Sequence, residues 1–93
     1  HAMEVAANQY PEVVAAAINA ANLRIAEGDY HEALKILGRS NQDDARIQAA
    51  EGYIYLLEKN YDKARELLSK AAEQGNEDAK HNLDEMEKHL ASI

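Results

Sequence analysis

The chain has 93 residues, no cysteine and one proline, and its 17 acidic side chains outnumber 10 Lys and Arg for a formal charge of −7. That length holds one small domain, and without cysteine there is no disulfide frame, no thiolate chemistry and no cysteine-bound zinc. The acidic balance argues against nucleic acid, whose phosphates are held by clustered Lys and Arg, and no apolar run approaches the ~20 residues needed for direct membrane insertion.

His1-Ala2-Met3 reads as a cloning scar, leaving residues 4–93 as a single domain. From Pro11 the pattern is helical. Val14, Ile18, Ala21 and Ile25 recur at the spacing of one helix face, Pro11 suits the first turn, and Gly28 ends the run. Asp29 opens a second helix with Glu32 three residues on, as in a capping box. Its apolar stripe is Tyr30, Ala33, Leu34 and Leu37, and Gly38 closes it. A third helix follows Ser40-Asn41, with Asp43 and Asp44 near its positive end and a stripe of Ile47, Ala50, Ile54 and Leu57. Asn60 caps a fourth, carrying Tyr61, Ala64, Leu67, Leu68 and Ala71 before Gly75, and a fifth from Asn76 shows Ala79, Leu83, Met86 and Leu90. No segment alternates apolar and polar residues in the manner of a strand, so the chain is predicted to be all-α.

The helices are separated by a few residues only, which forces neighbours to fold back as antiparallel hairpins. Sliding the chain against itself exposes a repeat. Tyr30 and Tyr61, Ala33 and Ala64, Leu37 and Leu68, and Ala21 and Gly52 all differ by 31 positions. Small residues at Ala21/Gly52 and Ala33/Ala64 let paired helices approach closely, and Tyr30 and Tyr61 fill the space below each turn. Two hairpins at a fixed offset followed by one more helix is the plan of a short solenoid.

On these residues, together with Asn19, Gly28-Asp29 and Tyr55, the chain resembles the tetratricopeptide repeat family, and the stretch Lys70–Ala79 through Asn82-Leu83 is similar to its Sel1-like branch. The resemblance implies a short right-handed α-solenoid: repeat 1 over about residues 12–39, repeat 2 over about 42–74 and a capping helix over about 77–91. The residues that pack the repeats would be Ala21, Gly28, Tyr30, Ala33, Leu37, Gly52, Tyr61, Ala64, Leu68 and Ala71. The 31-residue offset is shorter than the family's usual ~34, and the family's large aromatic early in the first helix is replaced by Ala17 and Gln48.

The resemblance further implies a non-catalytic protein-interaction module holding a peptide or loop on the face formed by the first helix of each hairpin. Transferred position by position, that face carries Ile18, Asn22, Ile25, Ala49, Tyr53, Leu56, His81 and Glu85, with Asn22 and Tyr53 at its centre. The alternative for Tyr53 is simple packing between helices. A clamp for a terminal carboxylate is not expected, because the matching positions read Ile18, Asn22, Ala50, Asp78 and Asn82 and offer no cation. His81, Glu85 and His89 share one side of the last helix, but a solvated polar face accounts for them without a metal. Glu73, Glu77, Asp78, Asp84, Glu85 and Glu87 bunch near the C-terminus, with Lys80 as the main counterweight. They read either as the soluble outer face of a capping helix or as a field that steers a basic partner.

No nucleophile–base constellation or phosphate-binding loop is present, so neither catalysis nor a cofactor is expected. At the other end, Val5, Val13, Val14 and Ile18 give the first helix more apolar surface than a terminal element needs. Either residues 4–10 fold back over it with Tyr10 inside, or another domain or a second copy covers it. The rival function is therefore a structural solenoid segment of a longer multidomain protein, a cell-envelope one included, docking through this flank. A monomer or weak dimer is expected, and the compartment, cytoplasmic or periplasmic, stays open.

Overall fold

The computed structural model of the protein describes residues 11–92, so the expectations for Val5, Tyr10 and the rest of residues 1–10 lie outside the described residues. Within them the chain forms α1 (Pro11–Ala26), α2 (Tyr30–Gly38), α3 (Ala45–Leu57), α4 (Tyr61–Glu73) and α5 (Glu77–Ala91), and no strand. The helices follow the predicted order, and α1–α2 and α3–α4 are the two hairpins.

Three of the four connections share one design. Gly28, Lys59 and Gly75 take positive φ angles of 81°, 64° and 93°. At each, the N–H of that residue donates to the carbonyl three positions back, and the next N–H reaches five back: Asp29 to Arg24 (2.8 Å), Asn60 to Tyr55 (2.9 Å) and Asn76 to Ala71 (3.1 Å). This is a Schellman closure. The residue that completes it also caps the following helix, since Asp29, Asn60 and Asn76 accept from the backbone N–H of Glu32, Lys63 and Ala79. One left-handed residue plus one Asx residue thus turns the chain. The capping box at Asp29 is only half made: the Asp29 N–H is already engaged by Arg24, so the Glu32 carboxylate pairs with Lys35 instead (3.8 Å).

Lys59 is the one residue with a side chain in that left-handed conformation among the described residues, at a position where its first-hairpin counterpart is Gly28. A Cβ there costs about 1 kcal/mol, so Lys59→Gly is expected to raise stability by about 0.5–1 kcal/mol, or about 2–8 °C in Tm for a chain of this size. Thermal unfolding followed by circular dichroism checks this. An unchanged or lowered Tm would show that the turn carries no strain.

The fourth connection, between α2 and α3, is longer and differently made. Gly38 keeps a negative φ and a Cβ would meet nothing there, so it is not a conformational stop. The segment is held by its own hydrogen bonds: Gln42 Nε2 donates to the carbonyls of Leu37 (2.8 Å) and Ser40 (3.0 Å), and Asn41 Oδ1 accepts from the Asp43 N–H (3.0 Å). Asp44, the true N-cap of α3, accepts from the Arg46 N–H at 2.8 Å.

The core is two clusters. Val14 and Ala21 of α1, Ala33 and Leu37 of α2, and Ile47 and Ile54 of α3 form the first. Ala49 of α3, Ala64, Leu68 and Ala71 of α4, and Ala79 and Met86 of α5 form the second. Each cluster is therefore one hairpin closed by the first helix of the next unit. Tyr30 and Tyr61 occupy matching half-buried places at the start of α2 and α4, one against each cluster. Because α3 serves both clusters, it is buried on several sides: Gln48, Ala49, Glu51 and Gly52 are buried as well as Ile47 and Ile54. The single stripe expected for it, with Ala50 and Leu57, is a partial description, and Leu57 is exposed.

Gln48 is the buried replacement for the aromatic residue of the resemblance. Its Nε2 donates to the Gln42 carbonyl (3.0 Å) and its Oε1 accepts from Gln74 Nε2 (2.8 Å), joining the α2–α3 connection to the end of α4. Polar burial is tolerated here because both ends of the amide are satisfied.

Register explains the flank as well. The positions 31 before Ile47 and Ile54 are Ala16 and Leu23, and Ala16 is exposed while Leu23 is 55% exposed. In α5 the same two inward positions are Ala79 and Met86, 32 residues after Ile47 and Ile54. Val14, expected on the open flank, is instead buried in the first cluster at 2% exposure, and Ile18 packs partly against it. The large apolar side chains that α1 does expose are Val13 and Leu23, beside small ones such as Ala16.

Candidate functional site

The first helices of the units, α1 and α3, lie side by side and α5 continues the row. Between them runs an open groove of about 420 Å³, within the ~300–1,000 Å³ range of ligand sites. α1 supplies Ile18 and Asn22, α3 supplies Arg46, Ala49, Ala50 and Tyr53, and α5 with its cap supplies Asn76, Asp78, His81 and Asn82. Of the residues expected on this face, the fold brings Ile18, Asn22, Ala49, Tyr53 and His81 together.

Ile25, Leu56 and Glu85 do not line it. Ile25 packs against the first cluster and Leu56 against the second. Glu85 is exposed and paired with Lys88 at 3.6 Å. The groove therefore lies further toward the N-terminal ends of α3 and α5 than helix-face transfer implied. Ala50 and Asn82 complete it, and Asn76 reaches it while capping α5.

The small side chains of Ala49 and Ala50 form a low floor, and Tyr53, 38% exposed, rises from it. A groove-lining tyrosine offers a flat apolar face and a polar tip. Asn22 and Asn82 each present a donor and an acceptor.

Arg46 corrects the expectation that no cation is available. It lies in the groove, but its Nε and Nη2 reach Asp44 Oδ1 and Oδ2 at 3.1 and 2.9 Å. That two-point bond with Arg46 holds the Asp44 carboxyl below the usual carboxylate range and raises the guanidinium above its own. The charge is thus largely spent within the chain.

The acidic bunch near the C-terminus is better neutralised than the sequence suggested. Lys80 pairs with Glu77 (3.3 Å), Lys88 with Asp84 (3.2 Å) and Glu85, and Arg65, from α4, with Glu87 (2.6 Å). Among the described residues only Glu73 and Asp78 of that group have no cation partner, and Asp78 faces the groove. His81, Glu85 and His89 do not converge: His89 lies beside Tyr61, ring centroids 6.1 Å apart, while His81 lines the groove. Among the described residues no group of three His, Cys, Asp or Glu side chains could hold a metal ion.

A second hollow of about 250 Å³ lies between α3 and α4, bounded by Gln42, Glu51, Tyr55, Lys63, Glu66, Leu67 and Lys70. Lys63 sits 5.3 Å from the Tyr55 ring centroid and Lys70 3.9 Å from Glu66, so both lysines of this hollow have a partner within it. Burial pushes the Glu51 carboxyl up.

A family model described as Tetratricopeptide repeat matches residues 24–83, nearly two thirds of the chain. A comparison with curated proteins and one with solved structures find no match.

Proposed function

Because the chain belongs to the tetratricopeptide repeat family, whose members generally mediate protein–protein interactions, we propose that it is a non-catalytic module holding a short segment of a partner protein in the groove of α1, α3 and α5. The observation that supports this reading is the exposure of Tyr53 on a small-residue floor, with Asn22 on one wall and Asn82 on the other. Rigid aromatics flanked by amides are the side chains that anchor interfaces, because they bury much area at little entropic cost. Asn22 and Asn82 satisfy backbone groups of the bound segment, and Tyr53 covers its side chains.

The test is a pull-down from the source lysate with the wild type and the Tyr53→Ala, Asn22→Ala double variant, both of which should fold since neither side chain is in the core. The expected result is at least one partner lost from the double variant. Identical partner sets would remove the groove from consideration.

A second reading is favoured by one observation. Ala16 and Leu23 hold in α1 the positions that Ile47 and Ile54 use in α3 to close the preceding hairpin, yet they are exposed. We propose that this flank seats a further helical element, in keeping with a structural segment of a longer polypeptide. A Leu23→Glu bait in the same pull-down separates the two: partners lost with Leu23→Glu and kept by the groove variant belong to the flank.

A further inference from the structure

We infer that the groove selects a segment carrying a lysine or arginine, whose cationic head is held by Asp78 beside the face of Tyr53; this rests on the groove reading above. The charges in the groove decide the sign. Arg46 is already bound at two points by Asp44, leaving the Asp78 carboxylate as the groove charge with no ion-pair partner among the described residues. It is distinguished from the other acids of α5, since Glu77, Asp84, Glu85 and Glu87 are each paired with a lysine or arginine. Tyr53 adds a second cation-seeking element, because an aromatic face attracts ammonium and guanidinium groups. On the neighbouring surface Lys63 lies over the Tyr55 ring at 5.3 Å from its centroid, and among the described residues no cation covers Tyr53 in this way. The overall charge of −7 favours encounter with a basic segment and disfavours an acidic one. An acidic segment would have to free Arg46 from Asp44 and lie against Asp78.

The probe is a phage-displayed library of random dodecapeptides panned on the full chain at about 50 mM salt, with binding of the enriched sequences then measured as fluorescein-labelled peptides by anisotropy. The expected result is enrichment of peptides with Lys or Arg that lose binding to Tyr53→Ala, bind Asp78→Asn about three- to tenfold more weakly, and weaken further as salt rises. Glu73→Gln removes the same charge from outside the groove and is expected to change affinity by less than twofold. Enriched peptides that need Tyr53 but are neutral or acidic, or are indifferent to Asp78→Asn, would overturn the charge selection and leave the groove standing. An equal loss with Glu73→Gln would also overturn it, assigning the effect to net charge. Peptides indifferent to Tyr53→Ala, or no enrichment at all, would overturn the groove reading and this inference with it.

Discussion

Replacing Gly52 with valine is expected to remove about 3 kcal/mol or more of stability, a large part of the roughly 5–10 kcal/mol available to a domain of this size. A Cβ at position 52 would stand 2.8 Å from Cγ and 2.9 Å from Cδ2 of Leu68, with the Leu68 backbone nitrogen at 3.2 Å. Leu68 is fully buried in the second cluster, so any shift of its side chain disturbs the packing of its neighbours. Overpacking of this kind costs about 1–3 kcal/mol, and a β-branched side chain adds atoms to the same space. Gly52→Ala is the more discriminating variant. In an open helix interior it would gain about 1 kcal/mol from helix propensity, whereas here the collision should outweigh that gain and leave a net loss of about 1–2 kcal/mol. The equivalent residue in the first hairpin, Ala21, is fully buried and does carry a Cβ, so the α1–α2 crossing accommodates what the α3–α4 crossing does not. Urea unfolding gives the midpoints. Leu68→Ala in the Gly52→Ala background should show a favourable coupling. A Gly52→Ala protein more stable than the wild type would mean that the two helices do not cross closely there.

The second large effect lies between the hairpins. Ile54 belongs to α3 but is fully buried in the cluster built by α1 and α2. Ile54→Ala should cost about 3–4 kcal/mol, from lost transfer free energy plus the cavity left behind. Leu23→Ala, at the same position one unit earlier, should cost under about 0.5 kcal/mol, since Leu23 is largely exposed in this chain. Chemically similar truncations at equivalent positions are thereby predicted to differ several-fold, because one side chain has a preceding hairpin to close and the other does not. Denaturant midpoints at constant m-value measure both. Equal costs would mean that the hairpins do not stack in this register.

Much of this arrangement was legible in the residues because the chain is locally consistent. Asp29, Asn60 and Asn76 cap where Asx residues should, the recurring Ala and Gly mark the crossings, and the offset of Tyr30 and Tyr61 places them in matching surroundings. Other features were hidden, each for a physical reason. A helix shared by two clusters loses its single stripe, so the buried Gln48 and Glu51 of α3 could not be told from surface residues by periodicity. The left-handed conformation of Lys59 goes against its side chain, and only the hydrogen bonds of the turn, with the matching Gly28, reveal it. At the groove, helix-face transfer placed Ile25 and Leu56 one step too far round, since the interior takes residues on both sides of the helix–helix contact. The pairing of Arg46 with Asp44 spans only two positions and is a matter of rotamers. The reach of Arg65 to Glu87 crosses between helices, where no local spacing rule applies.

The claim on which the functional account turns is that α1, α3 and α5 together receive the partner. Backbone amide chemical-shift mapping tests it most directly, by adding an enriched peptide, or the partner segment found by pull-down, to the labelled 93-residue chain. The account predicts that the largest shifts fall on Ile18, Asn22, Ala49, Tyr53, His81 and Asn82, drawn from three helices and far apart in sequence. Shifts confined to Ala16, Leu23 and their neighbours on the outer face of α1, or to α2 and α4, would contradict it.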